Sequence, residues 1–246
     1  TVAQAASAAG VRVAVIETMG ALTELRAALL AAKDTGLDTL AMMTFERNGR
    51  TYFGTDARSF AVTAAGLGAD AVGANCSLGA GELLFTAERL LSVTTLPVVI
   101  KPNAGLPRIA DGRAIYDETP EQFKAGIAAL KNAGVDIVGG CCGTTPDFIR
   151  AIADLKAAPR PPVQARSVLC SESTFLTVDG PMTVGERINP TGKPAFRKAL
   201  TEGNLDCIAD LAIEQKADGA ELLDVNVGVA GKEAELMPEV LCRILR

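Results

Sequence analysis

The sequence predicts an α/β protein built of TIM-type (β/α)8 barrels, two in tandem, each incomplete within this chain. Three observations predict it. Short β-branched runs alternate with Ala- and Leu-rich stretches of helical period, the pattern of parallel strands joined by helices. Cysteines, carboxylates and amides fall where apolar runs end, and in such barrels all strand ends open onto one face. Beyond a break marked by Pro159, Pro161 and Pro162, the same alternation restarts.

Residues 11–17 are rich in valine and read as a strand, followed by a helix over Leu22–Lys33. A strand over 37–45 and a helix over 56–66 come next, then the apolar strand 70–76 and the helix 81–91. Strand 97–103, helix 120–133 with Thr119 as N-cap, strand 135–142 and helix 146–156 bring the first block to about five βα units. Residues 158–181 read as a linker with an extended or hairpin-like piece. In the second block, 182–189 and 221–227 read as strands, and Pro194–Glu202, Asp206–Ala217 and 238–246 as helices.

A closed barrel needs about eight strands, and the two blocks supply about five and about two. The chain is therefore expected to be a segment of a longer polypeptide, because half-barrels leave edges and core faces exposed. An open doubly wound sheet with a small appendage is the alternative. Such a sheet commonly carries a Gly-rich phosphate loop after its first strand, and Ile16-Glu17-Thr18-Met19-Gly20 is not one.

With 48% hydrophobic and 22% charged residues among 246, the chain can build a substantial core, which argues against disorder and coiled coil. Its net charge of −5, with no block of Lys or Arg, argues against a nucleic acid partner. No apolar run approaches the roughly 20 residues that span a bilayer, and the first residues lack a signal-peptide layout, so a cytoplasmic location is expected. Six cysteines, two of them adjacent, fit reduced thiols or metal ligands better than a disulfide framework. Histidine is absent, so any metal must be held by sulfur or carboxylate.

Cys76 closes Asp70-Ala71-Val72-Gly73-Ala74-Asn75-Cys76, and Cys141 and Cys142 close Val135-Asp136-Ile137-Val138-Gly139-Gly140-Cys141-Cys142. Three thiolates meeting at a shared face make a zinc site with one position open, and an open position is what separates catalytic from structural zinc. Gly139 and Gly140 give the backbone room to approach an ion. The alternative is that these cysteines are small buried hydrophobes, the role assigned to Cys207 and Cys242 on amphipathic helices. Glu17, ending its strand, would suit the α-ammonium of an amino acid, or be a solvated rim carboxylate. Asn103 and the backbone at Ala104-Gly105 could orient a substrate carboxylate or a neighbouring loop, or simply form a turn.

Gly73-Ala74-Asn75-Cys76, Lys101-Pro102-Asn103-Ala104-Gly105-Leu106-Pro107 and Gly139-Gly140-Cys141-Cys142-Gly143-Thr144-Thr145-Pro146 resemble the motifs of homocysteine methyltransferases, over most of residues 11–156. The resemblance implies that Cys76, Cys141 and Cys142 bind zinc, that homocysteine sulfur takes the fourth position, and that Glu17 takes its ammonium group. Zinc lowers the pKa of a bound thiol, so the nucleophile would be the substrate itself and no His base is needed.

In the second block, Val184-Gly185-Glu186-Arg187-Ile188-Asn189-Pro190-Thr191-Gly192 and Leu222-Leu223-Asp224-Val225-Asn226-Val227-Gly228 resemble the pterin-binding barrel of methyltetrahydrofolate enzymes. Glu186, Asn189, Asp224 and Asn226 would then pair with the pterin ring, the alternative being cap or rim roles. A homocysteine barrel followed by a folate barrel resembles the cobalamin-dependent methionine synthase family. This implies the C-terminal part of a homocysteine and zinc barrel over 1–157, a linker over 158–181, and the N-terminal part of a pterin barrel over 182–246. The family's Asp-Gly-Ala-Met-Gly-like opening strand is not in this sequence. Without His there is no Asp-x-His-x-x-Gly cobalamin motif, so cobalamin is expected on a module elsewhere in the full protein or on another chain. Two other readings stand beside this one. The first is a cobalamin-independent homocysteine S-methyltransferase with a sulfonium or betaine donor, which has no need of the second block. The second is a non-catalytic zinc-stabilised fragment with Cys170 as the candidate fourth sulfur.

Overall fold

A computed structural model describes residues 1–110, 112–160, 162–163 and 166–245. Pro161 of the proline-rich break and Arg246, the expected end of the last helix, lie outside the described residues. The chain divides into two units, Thr1–Thr177 and Val178–Arg246.

The first unit runs α1 (Val2–Ala8), β1 (Val13–Met19), α2 (Leu22–Lys33), β2 (Asp38–Met43), α3 (Ala57–Gly66), β3 (Ala71–Asn75), α4 (Leu83–Leu91) and β4 (Val98–Lys101). It continues with β5 (Arg108–Ala110), β6 (Arg113–Ile115), α5 (Pro120–Asn132), β7 (Ile137–Val138), α6 (Pro146–Ile152), β8 (Ser167–Cys170) and β9 (Phe175–Val178). The main sheet is parallel in the order β1-β2-β3-β4-β7. A doubly wound sheet reverses its strand order at a switch point, whereas a barrel winds sequentially, and this sheet winds sequentially. It stays open, with β1 and β7 as edges, and in the second unit β10 (Val184–Ile188) and β11 (Leu222–Val225) form one parallel pair. Among the described residues neither unit closes into a barrel.

Period-two alternation divides the residues of the main sheet between two faces. Ile16, Ala41, Met43, Val72, Ala74, Val98 and Ile100 pack with Leu25, Leu29, Phe60, Leu83, Leu90, Phe123 and Ile127 of the helices. The other face holds only a small cluster of Met42, Ala71 and Val99, and leaves Val13 and Val15 about half exposed, at 47% and 50%. Glu17 alternates with Val13 and Val15 onto this second face. Asn75 and Lys101 join it, each two residues beyond Gly73 and Val99 and opposite one another in the β3–β4 register. The open face of the sheet therefore carries Glu17, Asn75 and Lys101 together at the C-terminal ends of β1, β3 and β4.

Three elements, α1, β5 and β6, have no counterpart in the sequence pattern. Helix α1 is fixed by a capping box between Thr1 and Gln4. The antiparallel pair β5–β6 folds out of the loop between β4 and α5. Strand β7 is much shorter than the expected 135–142, and the backbone from Gly139 onward turns to present the cysteines.

Part of the linker region folds onto the first unit. Strands β8 and β9 pair, and the turn between them is anchored: Glu172 Oε1 accepts from Thr55 Oγ1 (2.7 Å) and from the Leu22 N–H (3.3 Å). The Asp56 N–H donates to the Glu172 carbonyl (2.9 Å), and Arg50 Nη1 to the Ser173 carbonyl (2.7 Å). At this junction Asp56, 1% exposed, caps α3 by accepting from the Arg58 N–H (2.9 Å) and faces Arg89, Arg50 and Arg58.

In the second unit, α7 (Pro194–Glu202), α8 (Asp206–Ala217) and α9 (Glu233–Ile244) cover the strand pair around Ile188, Phe196, Leu200, Ile208, Val227 and Val240. Helix α9 begins before the expected start at Pro238, which lies inside it. Leu236 and Val240, one turn apart, are both buried, so their shared face carries the helix through the proline. Among the described residues no helix is long and apolar enough to cross a membrane.

Burial opposes the Asp56 charge, but the Arg58 N–H and the guanidinium groups of Arg89, Arg58 and Arg50 outweigh it and hold the carboxyl below the usual carboxylate range. A lowered native pKa stabilises above the unfolded value of about 3.9 and is lost as pH falls through the native value. Asp56→Asn is expected to cost on the order of 1–2 kcal/mol at neutral pH, because it removes the charged cap of α3 and the shared partner of the partly exposed Arg50, Arg58 and Arg89. Urea unfolding at pH 7 and pH 3 checks it: the deficit shrinks at the lower pH, and an equal deficit at both would contradict the assignment.

Candidate metal centre

The three cysteines come from strands that do not pair with each other. Cys76 follows β3, Cys141 and Cys142 follow β7, and β4 lies between. The segment leaving β4 binds both sides. The Lys101 carbonyl accepts from the Cys76 N–H (3.1 Å) and the Pro102 carbonyl from the Cys141 N–H (2.7 Å), while the Ala104 N–H donates to the Cys142 carbonyl (2.9 Å). Asn103 is buried, and its Oδ1 accepts from the Cys142 N–H (3.1 Å), so its side chain holds the cysteine loop. Gly105 follows with φ +85°, a turn that a side chain would strain. Gly143, at φ +79°, is required for a second reason: a Cβ there would lie 2.4 Å from the Tyr116 ring.

The Sγ atoms of Cys76, Cys141 and Cys142 lie within 4.8 Å of one another, and those of Cys76 and Cys142 are 3.7 Å apart. Sulfurs about 2.3 Å from a tetrahedral ion are separated by about 3.8 Å, so one edge of the triangle already has that span. Burial, offset in part by the Ser77 N–H and reinforced by the Cys142 and Cys141 sulfurs, pushes the Cys76 thiol up to about 11. A compact, all-sulfur donor set of this kind suits a soft divalent cation. All six cysteines are free thiols. Cys170 is not part of the cluster; it is exposed, with its Sγ 3.8 Å from Thr63 Oγ1 on α3. Cys207 donates to the Asn204 carbonyl (3.2 Å) and Cys242 is exposed, both in the second unit.

Asn75 was missed in the sequence, although a polar residue in an otherwise apolar strand is a signal. It is fully buried, and its Nδ2 donates to Thr18 Oγ1 (2.8 Å) and to Cys141 Sγ (3.8 Å), while its Oδ1 accepts from the Thr18 N–H (2.9 Å). Thr18, Cys76 and Ser77 are the non-glycine residues with positive φ among those described (63°, 64° and 61°), and all three border this site. Glu17 is present at the same strand ends, paired with Lys101 at 2.5 Å. A groove of about 1080 Å³, lined by residues that include Ala65, Leu91, Thr95, Ala133 and Pro159, lies at the C-terminal ends of α3, α4 and α5 and contains none of the cysteines. In parallel βα architectures that end of the sheet is the wrong one for chemistry.

In the second unit, Glu186 and Asp224 lie exposed on β10 and β11, with Asn189 and Asn226 in the turns just beyond. Asn189 Oδ1 accepts from the Thr191 N–H (2.9 Å) and Asn226 Oδ1 from the Gly228 N–H (2.7 Å). The Asn226 N–H donates to the Ile188 carbonyl (2.9 Å), which brings the two turns side by side.

Residues 1–155 match the profile of the homocysteine S-methyltransferase family. The chain belongs to this family. Similarity to two methionine synthases extends further: that of Mycobacterium tuberculosis is 31% identical over 231 residues, 89% of this chain, and that of Mycobacterium leprae is 29% identical over 91% of it. This homocysteine S-methyltransferase family chain spans about a fifth of the length of both, 19% and 20%. The crystal structure of the Escherichia coli homocysteine methyltransferase MmuM, in metallated form, aligns with 60% of this chain and 46% of that one at 24% identity and a TM-score of 0.48.

Removing the Asn75 amide is expected to weaken metal binding by about tenfold to a hundredfold, the usual effect of losing a partner that orients a ligand. Competition of Asn75→Ala against a chromophoric chelator measures this, and an unchanged affinity would remove Asn75 from the site.

Proposed function

We propose that Cys76, Cys141 and Cys142 hold zinc and that the first unit binds homocysteine for methylation on sulfur, giving methionine. The convergence of three Sγ atoms within 4.8 Å, in a chain of the homocysteine S-methyltransferase family, carries this reading. Zinc bound there would hold the homocysteine sulfur as a thiolate, a nucleophile at neutral pH without a His base. The protein's own residues bind and position: the cysteines supply three soft ligands, Asn75 steadies Cys141, Asn103 fixes the Cys142 loop, and Glu17 receives the ammonium group of the amino acid. Gly105 sets the turn beside them. Six free thiols suit a reduced, cytoplasmic setting.

On this reading the open sheet is part of a TIM-type barrel over 1–157, and 182–246 begins a second, pterin-binding barrel after the linker 158–181. Methyltetrahydrofolate is the methyl donor, with Glu186, Asn189, Asp224 and Asn226 as its pterin contacts, and cobalamin bound elsewhere on the full-length protein is the methyl carrier. In support, the family profile ends at residue 155, whereas similarity to methionine synthases covers 89% of the chain and so extends into the second unit. A homocysteine methyltransferase with a sulfonium or betaine donor has no use for that unit.

Cys141→Ser and Cys142→Ser are each expected to lose bound zinc and homocysteine binding while methyltetrahydrofolate binding persists. Elemental analysis and calorimetric titration of both ligands check this. Homocysteine binding that survives zinc loss would overturn the zinc reading, and loss of both ligands together would contradict separate sites.

A further inference from the structure

We propose that Lys101 is a substrate-binding residue that takes the carboxylate of the incoming amino-acid thiol and, with Glu17, selects a zwitterion over a simple thiol. The proposal rests on the reading of the cysteine cluster as a zinc and homocysteine site and adds to it a determinant of specificity.

Lys101 ends β4, and its Nζ donates to Glu17 Oε2 on β1 at 2.5 Å. These strands are not neighbours, since β2 and β3 lie between them. Lys101 sits opposite Asn75 in the parallel register, so both side chains project from the same face of the sheet. From that face Asn75 reaches Cys141 Sγ, and the Lys101 carbonyl itself accepts from the Cys76 N–H. The ion pair thus stands at the same strand ends as the sulfurs. Gly139, just beyond β7, leaves space for the lysine stem, because a Cβ there would come within 3.3 Å of Lys101 Cγ.

Stability is a weak reason for this pair. Its side chains are 26% and 40% exposed, and ion pairs open to solvent contribute little. Recognition is a better one. An amino acid carries its ammonium and carboxylate on one carbon, so on entry it can exchange one Glu–Lys contact for two, Glu17 to ammonium and Lys101 to carboxylate, with no charge left unpaired. A lone carboxylate at this edge would accept any amine. The pair favours a ligand that carries both groups over one that carries either alone, and the Lys101 contact adds to the binding of any thiol that has a carboxylate.

The test is calorimetric titration of the zinc-loaded chain with four thiols that share the three carbons from sulfur to the α-carbon: homocysteine, 3-mercaptopropylamine without its carboxylate, 4-mercaptobutyrate without its amine, and 1-propanethiol with neither. Lys101→Met is expected to weaken homocysteine and 4-mercaptobutyrate by roughly tenfold or more while leaving 3-mercaptopropylamine no weaker, and Lys101→Arg to restore most of the loss. A variant that weakens all four alike, or none, overturns the assignment. The wild-type chain tests it independently of folding effects: 4-mercaptobutyrate must bind more tightly than 1-propanethiol, and equal binding overturns the proposal while the zinc site stands. If no thiol binds the zinc-loaded wild-type chain, the reading of the metal centre fails together with the proposal.

Discussion

The backbone leaving β4 is bonded to both cysteine loops, and the site depends on that segment. Strands β3 and β7 never meet, so nothing in the sheet ladder brings Cys76 to Cys141 and Cys142. Residues 101–104 do it, with hydrogen bonds to Cys76, Leu78, Cys141 and Cys142 and a fifth from the Asn103 side chain. At about 1 kcal/mol each, such bonds together offset the roughly 1–3 kcal/mol that each left-handed residue costs at Cys76 and Ser77. Strain and its support lie within one loop cluster. The strain serves to turn the Cys76 chain out of the β3 direction toward the sulfurs of the β7 loop.

Asn75 links this cluster to β1. By holding Thr18 through both its backbone N–H and its side-chain hydroxyl while donating toward Cys141, it couples the strand that carries Glu17 to the strand ends that carry the sulfurs. The group proposed to receive the amine and the groups proposed to hold the metal are thus fixed by one buried amide. Buried polar groups of this kind are informative because leaving any of their atoms unpaired is costly.

The sequential βα order and the convergence of Cys76 with Cys141 and Cys142 could be read from the sequence, because both follow from where apolar runs begin and end. The partnership of Glu17 with Lys101 could not. It depends on the register between β3 and β4 and on the curvature that brings β1 near β4, and neither is local. Asn103 was read as a possible substrate group, a role that residue type and motif permit; burial and its bond to Cys142 emerge only once β7 ends two residues after it starts. Pro238 reads locally as a helix start, whereas α9 begins at Glu233 because the buried pair Leu236 and Val240 drives the helix through the proline. The fold of the linker region depends on contacts between residues more than 100 positions apart, such as Thr55 with Glu172, which no local pattern carries.

The central claim is a three-sulfur zinc site with its fourth position reserved for the substrate, and zinc K-edge X-ray absorption of the loaded chain, with and without homocysteine, tests it most directly. Three sulfurs and one lighter atom before addition, becoming four sulfurs after it, is the result predicted. Four sulfurs at the outset, or no change on adding homocysteine, would contradict it.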